Sequence, residues 1–469
     1  MPTRTTRRHN GLILDRKDPM DAARRVVDTH FRVLGRRGLL HWDDAFHEYD
    51  DGRYLEASEA DIRARLYAIT DKALDPDNNP YRPNRSKVGD LMDAIKAVLN
   101  LPGTYQPPCW LAHDHPLSVY QAKEVMPVGN GLLHVPSARL YEPTPDYFTA
   151  TALSIPFDEH APEPRHWLAF LNGLWPNDTE SIELLQMWFG YALTADTSQQ
   201  KILLLIGPPR SGKGTIARVL GAMLGRDNVA GPTLSSLATN FGLEPLIGKI
   251  LAIIDDARLG GMIESQVITE RFLTISGEGS ITVDRKYRAP FTGRLPTRFV
   301  IISNELPRLM DASGALASRF LVLQTTRSYL GNEDTGLTDR LLAELPGILL
   351  WAVRGYRMLL DRGSLTQPRS SMEAIQDLED LASPITAFVR DECTQGPGES
   401  VAKHLLFDRW RIWCNDHGRR PGNLETFARD LRAAVPGLRS SRPRQGDGSR
   451  IYTFTGISLR QSSGGSDEY

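Results

Sequence analysis

The sequence predicts an α/β chain whose centre is a largely parallel sheet covered by helices on both faces. Three observations predict it. Short apolar runs suited to buried strands recur at 202–206, 250–254, 299–302 and 321–323. Segments with helical spacing separate them, and strands that alternate with helices build parallel sheets. A chain of 469 residues is also too long for one hydrophobic core, so this sheet is expected within two to four domains.

Residues 1–10 carry three arginines among polar residues, with no apolar stretch behind them. They read as a mobile leader and not as a secretory signal. The rest of region 1–164 has a mixed α/β texture. Residues 20–31 and 59–72 have helical spacing, and Ile62, Leu66 and Ile69 fall on one face of the second. Residues 38–54, with Leu39, Leu40, Trp42 and Phe46, have the texture of short strands. Residues 75–85 are crowded with Pro, Asn and Asp and read as a loop; residues 136–164, rich in proline, read as irregular.

Residues 165–200 turn strongly helical and read as a collar. Asn177, Asp178, Thr179 and Glu180 supply capping chemistry ahead of an apolar stripe of Ile182, Leu185, Trp188, Phe189 and Leu193. The sheet unit occupies 201–360, and a polar helical connector follows over 361–382. Over 383–460, Phe388, Leu405, Leu406, Trp410, Trp413 and Phe427 are core material for three short helices. Residues 439–455 then read as a hairpin turning at Gln445-Gly446-Asp447-Gly448, with Ile451, Tyr452 and Phe454 on the return strand. Residues 461–469 are low in complexity and expected to be disordered. No internal repeat is present.

Composition narrows the function classes. The formal net charge of −2 argues against a uniformly basic nucleic-acid coat, although it permits a local basic surface. Cys109, Cys393 and Cys414 lie far apart and form neither a disulfide framework nor a zinc spacing, which suits a reducing cytoplasm. No apolar run is long enough to cross a bilayer, so no membrane partner is expected.

Gly207-Pro208-Pro209-Arg210-Ser211-Gly212-Lys213-Gly214-Thr215 follows the 202–206 strand directly and precedes the helical pattern of 216–224. Glycines let a loop curl its N–H groups toward phosphate oxygens, and the helix N-terminus adds a favourable dipole. Lys213 would reach the β- and γ-phosphates of ATP. The residue after Lys213 is Gly214, where Ser or Thr is usual, so Thr215 is the expected Mg²⁺ ligand, directly or through water. A strand–helix turn without a ligand is the bland alternative.

Two further strand ends carry polar groups. The 250–254 strand ends in Asp255 and Asp256. At the carboxyl edge of a parallel sheet, Asp255 suits the Mg²⁺ shell and Asp256 can orient or deprotonate the attacking water. Taken alone, an aspartate pair at a strand end fits a solvated turn equally well; its distance of about 40 residues from the loop favours the metal role. The 299–302 strand runs into Ser303-Asn304, and Asn304 can position lytic water against the γ-phosphate.

The order of these motifs resembles the superfamily 3 helicases, and more narrowly the C-terminal helicase region of phage and plasmid primase-helicases, relatives of the poxvirus one. Trp167-Leu168-Ala169-Phe170-Leu171 and Trp188-Phe189-Gly190-Tyr191-Ala192-Leu193 resemble the helical segment ahead of the family's motor, and Ser303-Asn304-Glu305-Leu306-Pro307 its sensor strand. The likeness spans about 130–455. It implies a P-loop AAA+-like ATPase core and a homo-oligomeric ring, usually a hexamer, with ATP between subunits. A neighbour's arginine would then face the γ-phosphate; Arg319 matches that position best and Arg327 less well. Arg285, Lys286, Tyr287 and Arg288 resemble the family's channel hairpin, where cations would grip phosphates and the tyrosine would stack.

Three helices and a hairpin describe a winged helix over 383–460, with 424–434 as the recognition-type helix and Arg439, Arg442, Arg444 and Arg450 crowding the wing. Those arginines would pair with DNA phosphates, unless the unit docks protein instead. Residues ahead of 130 offer His41, Asp43, Asp44, Asp50 and Asp51 but no spaced acid pair with a partner histidine, so no synthesis domain is read there. A primase, if used, is a separate partner, and the N-terminal region serves assembly or docking. The resulting expectation is an ATP- and Mg²⁺-dependent helicase of phage or prophage replication, acting on single-stranded or forked DNA in a bacterial cytoplasm. A nucleotide kinase, prompted by Gly212-Lys213-Gly214-Thr215, and a non-unwinding DNA-binding initiator are the competing readings.

Overall fold

The computed structural model describes residues 12–255, 262–307, 309, 311, 314–442 and 451–460. Asp256, Arg444, Arg450, the turn at 445–448, the leader and the tail lie outside the described residues.

The N-terminal unit packs helices Pro19–His30, Glu59–Asp71 and Arg85–Leu99 on an antiparallel meander of Leu39–Trp42, Ala45–Asp50 and Arg53–Ala57. The first two helices and the meander lie where the sequence suggests, the last strand running on to Ala57. Helix Arg85–Leu99 was not among the sequence expectations. It starts as the expected loop ends, is capped by Asn84, and buries Val88, Leu91, Met92, Ile95 and Leu99 at helical spacing. A second antiparallel sheet joins Val125–Val128, Gly131–His134 and Arg139–Tyr141. Its last strand falls inside the stretch expected to be irregular, as does Tyr147–Phe148, which pairs with Cys109–Trp110.

Helices α1 (Arg165–Leu174) and α2 (Thr179–Ala192) lead into β1 (Ile202–Ile206), α3 (Lys213–Leu224), β2 (Val229–Ala230), β3 (Leu251–Asp255) and α4 (Met262–Ser276). A small antiparallel hairpin, β4 (Ile281–Val283) and β5 (Phe291–Gly293), precedes β6 (Arg298–Ser303), β7 (Phe320–Gln324), α5 (Leu345–Arg362) and α6 (Met372–Ala382). The main sheet has the order β2-β3-β6-β1-β7, and every pairing is parallel.

The pleat sorts its side chains cleanly. Leu203, Leu205, Val300, Ile302, Leu321 and Leu323 enter one core with α1, α2, α3 and α5. Ile202, Leu204, Ile206, Ile301, Phe320 and Val322 enter the opposite core with α4, the β4–β5 hairpin and α6. Each fully buried Leu or Ile contributes about 1.5–3 kcal/mol, so both faces depend on their helical cover. The helices expected as a separate collar therefore share the sheet's own core, because Trp167, Leu171 and Trp188 fill it. The segment expected as a plain connector likewise packs Ala374 and Leu378 on the opposite face. Helices α2 and α5 cross at backbone contact: an added Cβ at Gly190 would overlap the Ala352 carbonyl, and one at Gly355 the Gln186 carbonyl.

The C-terminal unit contains α7 (Pro384–Glu392), β8 (Cys393–Ala402), α8 (Lys403–Asp416), α9 (Leu424–Ala434), β9 (Arg439–Ser441) and β10 (Thr453–Leu459). Phe388, Trp410, Trp413 and Phe427 form its aromatic core. The three helices and the β9–β10 pairing fall where the sequence puts them. Strand β8, which gives the sheet order β8-β10-β9, is additional. Its Gln395-Gly396-Pro397-Gly398 looks like a turn in sequence; here it is an irregularity between two paired stretches. All three cysteines are free.

Candidate functional site

Register aligns the carboxyl ends of the central strands. Ile206 of β1 lies opposite Ser303 of β6 and Gln324 of β7, while Asp255 of β3 lies opposite Ile302. The 207–212 loop, Asp255 and Asn304 thus leave one sheet edge. Strand β6 separates the first two, a span of ~10 Å at the usual strand spacing.

The loop's backbone requires its glycines. Gly207 has φ +147° against the Thr325 carbonyl, and Gly212 has φ +90° with Leu174 and Phe170 closing on its Cα. Gly212 caps α3 with its carbonyl, which accepts from the Thr215 and Ile216 N–H groups. The segment after β7 straps the loop from outside. The Ser211 and Thr325 hydroxyls lie 2.7 Å apart, Ser328 Oγ donates to the Pro209 carbonyl at 2.7 Å, and Tyr329 N–H donates to the Arg210 carbonyl at 2.9 Å. Arg210, at φ +58°, reaches Glu333 at 3.7 Å. Thr325 was not singled out in the sequence; the only signal is a hydroxyl just beyond an apolar strand.

Lys213 is 5% exposed. Its Nζ donates to the Gly207 and Pro208 carbonyls at 2.7 and 2.8 Å, to Ser211 Oγ at 3.1 Å and to Asn304 Oδ1 at 3.3 Å. Burial pushes its pKa below the ordinary lysine value. Among the described residues no carboxylate neutralises it. Its described partners are thus all neutral oxygens, and a charge left unpaired in low dielectric is expensive unless a counter-charge meets it.

Thr215 is half-buried in the first turn of α3, Gly214 and Asn304 are exposed, and Asp255 is exposed at the end of β3. Among the described residues no group of three or more His, Cys, Asp or Glu side chains is gathered for a metal. Two oxygen donors fit Mg²⁺, which keeps several waters and takes one or two protein ligands beside phosphates.

Arg319 sits at the opposite edge. It precedes Phe320, which lies opposite Ile202, the first residue of β1, and its guanidinium hydrogen-bonds Gln200 Oε1. It is remote from Lys213 of its own chain. Arg327 is on the carboxyl side, its guanidinium 5.0 Å from the Tyr329 ring.

The β4–β5 hairpin presents Tyr287 fully exposed at φ +60°. Lys286 is exposed beside it. Arg285 and Arg288 are instead paired with Asp43 and Glu56 of the N-terminal meander; the sequence marks Asp43 only as one of a group of acids and does not mark Glu56. In the C-terminal unit Arg439 is exposed on β9, and Arg442 and Lys403 lie 4.6 and 5.4 Å from the Tyr452 ring. Arg432 of α9 donates to Ser440 Oγ at 3.2 Å. Lys403 and Arg432 were not singled out in the sequence.

Among the described residues no helix is long and apolar enough to cross a membrane. A family model described as a family of unknown function (DUF5906) matches residues 205–319, from within β1 to the residue before β7. Two solved apo structures of the NrS-1 C terminal region share the fold. One has a TM-score of 0.53 at 14% identity over 90% of this chain and 96% of that one. The A form has 0.50 at 14% identity over 89% and 96%.

Proposed function

We propose that this chain is an ATP-hydrolysing motor of the superfamily 3 helicase kind, which works as a ring on DNA during phage or prophage replication. The central sheet reads as a P-loop AAA+-like core and the C-terminal unit as a winged helix. One observation carries the proposal: a buried lysine ammonium with no acid partner among the described residues, folded into a glycine loop at the carboxyl end of β1, in reach of Asn304. In this reading the amides of 207–215 and Lys213 hold the β- and γ-phosphates of ATP. Thr215 and Asp255 are the residues that would hold Mg²⁺, whose chemistry here is to offset phosphate charge. Asp256 draws the proton from the attacking water, and Asn304 orients that water by accepting or donating a hydrogen bond.

Arg319 lies too far away to serve its own site, as an arginine supplied to a neighbour must. Lys286 and Tyr287 at the hairpin tip would follow the DNA backbone, and Arg439, Arg442, Arg444 and Arg450 would hold phosphates at the wing. The test is forked-DNA unwinding by Lys213→Ala protein in the presence of ATP. Loss of unwinding together with loss of phosphate release is expected; unwinding at the wild-type rate sinks the motor.

A further inference from the structure

We infer that Arg285 and Arg288 are anchors that tie the β4–β5 hairpin to the N-terminal unit through Asp43 and Glu56, leaving DNA contact at the tip to Lys286 and Tyr287. The inference rests on the DNA-motor reading above and adds positioning residues to it.

Arg285 has a side chain only 13% exposed. Its Nε donates to the Ala289 carbonyl at 2.7 Å, which closes the turn, and its Nη1 donates to Asp43 Oδ2 at 3.3 Å. Arg288 meets Glu56 with both prongs, Nη1 to Oε2 at 3.0 Å and Nη2 to Oε1 at 2.7 Å. That fork-to-fork geometry is the one a guanidinium would otherwise offer a phosphate, so the same face cannot serve both. The Glu56 carboxyl is held below the usual carboxylate range, first by this hydrogen bond. From the motor side, Glu244 Oε2 accepts the Lys286 backbone N–H at 3.4 Å.

Asp43 lies in the turn between the first two meander strands, Glu56 on the third. Together with Arg285, Tyr287 and Arg288 they line one cleft of about 680 Å³. A turn braced from two bodies points its free residues in a fixed direction. Those residues are Lys286, which has no acid partner at its ammonium among the described residues, and Tyr287. A hairpin loosened from this brace still binds a phosphate chain but loses the position that links binding to turnover.

The experiment measures ATP hydrolysis by the full chain against oligothymidylate concentration. Asp43→Asn with Glu56→Gln is expected to lower the maximal stimulated rate by roughly tenfold or more, as misplaced contacts do, with the half-saturating oligonucleotide concentration little changed. Lys286→Ala should raise that concentration instead. The decisive variant is a charge swap. Arg288→Glu alone loses stimulation, and Arg288→Glu with Glu56→Arg regains it. Asp44→Asn, in the same turn as Asp43, is the control for general damage and should leave stimulation intact.

A swap that fails to restore stimulation overturns the anchor, because an arginine gripping phosphate cannot be replaced by glutamate. So does a lower half-saturating concentration in the Asn/Gln variant, which would make the two acids mere blockers of DNA. Unchanged kinetics in that variant overturn it as well. A wild-type chain that neither binds the oligonucleotide nor responds to it brings down the DNA-motor reading and this inference together, an outcome separate from the other three.

Discussion

Lys213 keeps its ammonium where burial penalises charge, and this gives the proposed nucleotide binding a pH dependence of definite sign. Its folded-state pKa is lowered from 10.5, so the unfolded chain holds that proton more tightly and the lysine opposes folding below its folded pKa. A phosphate favours the charged form. Affinity for an ATP analogue should therefore be full below the lowered pKa and fall as pH rises through it, earlier than for a free lysine. Calorimetric titration from neutral to alkaline pH checks this, and an affinity constant across that range would show that Lys213 does not meet the phosphates. The loop glycines offer a second contrast. Gly207→Ala drives a Cβ into the Thr325 carbonyl at φ +147° and should abolish nucleotide binding, whereas Gly214 has open space around its Cα and Gly214→Ala should bind nearly as wild type. Equilibrium binding of a fluorescent nucleotide separates the two. The strand–loop–helix geometry around Lys213 was legible because it is local: strand, glycines, lysine and helix adjoin in sequence. Thr325, Glu56 and the pairing of Asp43 were not, since each role comes from a partner in another segment; Asp43 meets Arg285 across 242 residues.

At the level of elements, helix α1 shows the same limit. Its N-cap, Pro164, has no side chain able to accept a hydrogen bond. The cap comes instead from Glu344, whose two carboxylate oxygens each accept at 3.0 Å, one from His166 N–H and one from Trp167 N–H. An anionic acceptor at a helix N-terminus is favoured by the backbone dipole as well as by the hydrogen bonds. Glu344→Ala should cost about 1 kcal/mol, read as a shift of the urea midpoint of the central unit; an unshifted midpoint would mean that water replaces the cap without loss. Helix Arg85–Leu99 is a different omission. Its period was present in Val88, Leu91, Met92, Ile95 and Leu99, but Gly89, Asp90 and Asp93 break the apolar run, and the Pro- and Asn-rich stretch ahead of it draws the reading toward loop. In β8 the local signal is true only locally: its Gly-Pro-Gly falls in the unpaired irregularity, while residues on both sides of it pair with β10 and keep one strand.

For the molecule as a whole, Lys213 and Arg319 at opposite edges of one sheet make a prediction about assembly. If each subunit supplies its arginine to a neighbour, a Lys213→Ala chain has a dead pocket and a working arginine, and an Arg319→Ala chain the reverse. Mixing the two before assembly should restore phosphate release above that of either alone, because some interfaces then join an intact pocket to an intact arginine. Mixtures no better than the average of their parents would place the arginine's role inside its own chain, with Gln200.

The crossing of α2 and α5 bears on where this chain can be cut. Each helix presents a glycine to the other's backbone, so a fragment ending ahead of Leu345 would strip cover from Trp188 and Tyr191, both buried in the intact chain. Such a fragment is expected to precipitate. Retaining α6 as well, through Ala382, also keeps Ala374 and Leu378 on the opposite face, and starting no later than Val125 keeps the strands that share the α1–α2 core. Soluble expression of 125–382, beside failure of 125–344, would mark α5 and α6 as cover that the central sheet cannot lose.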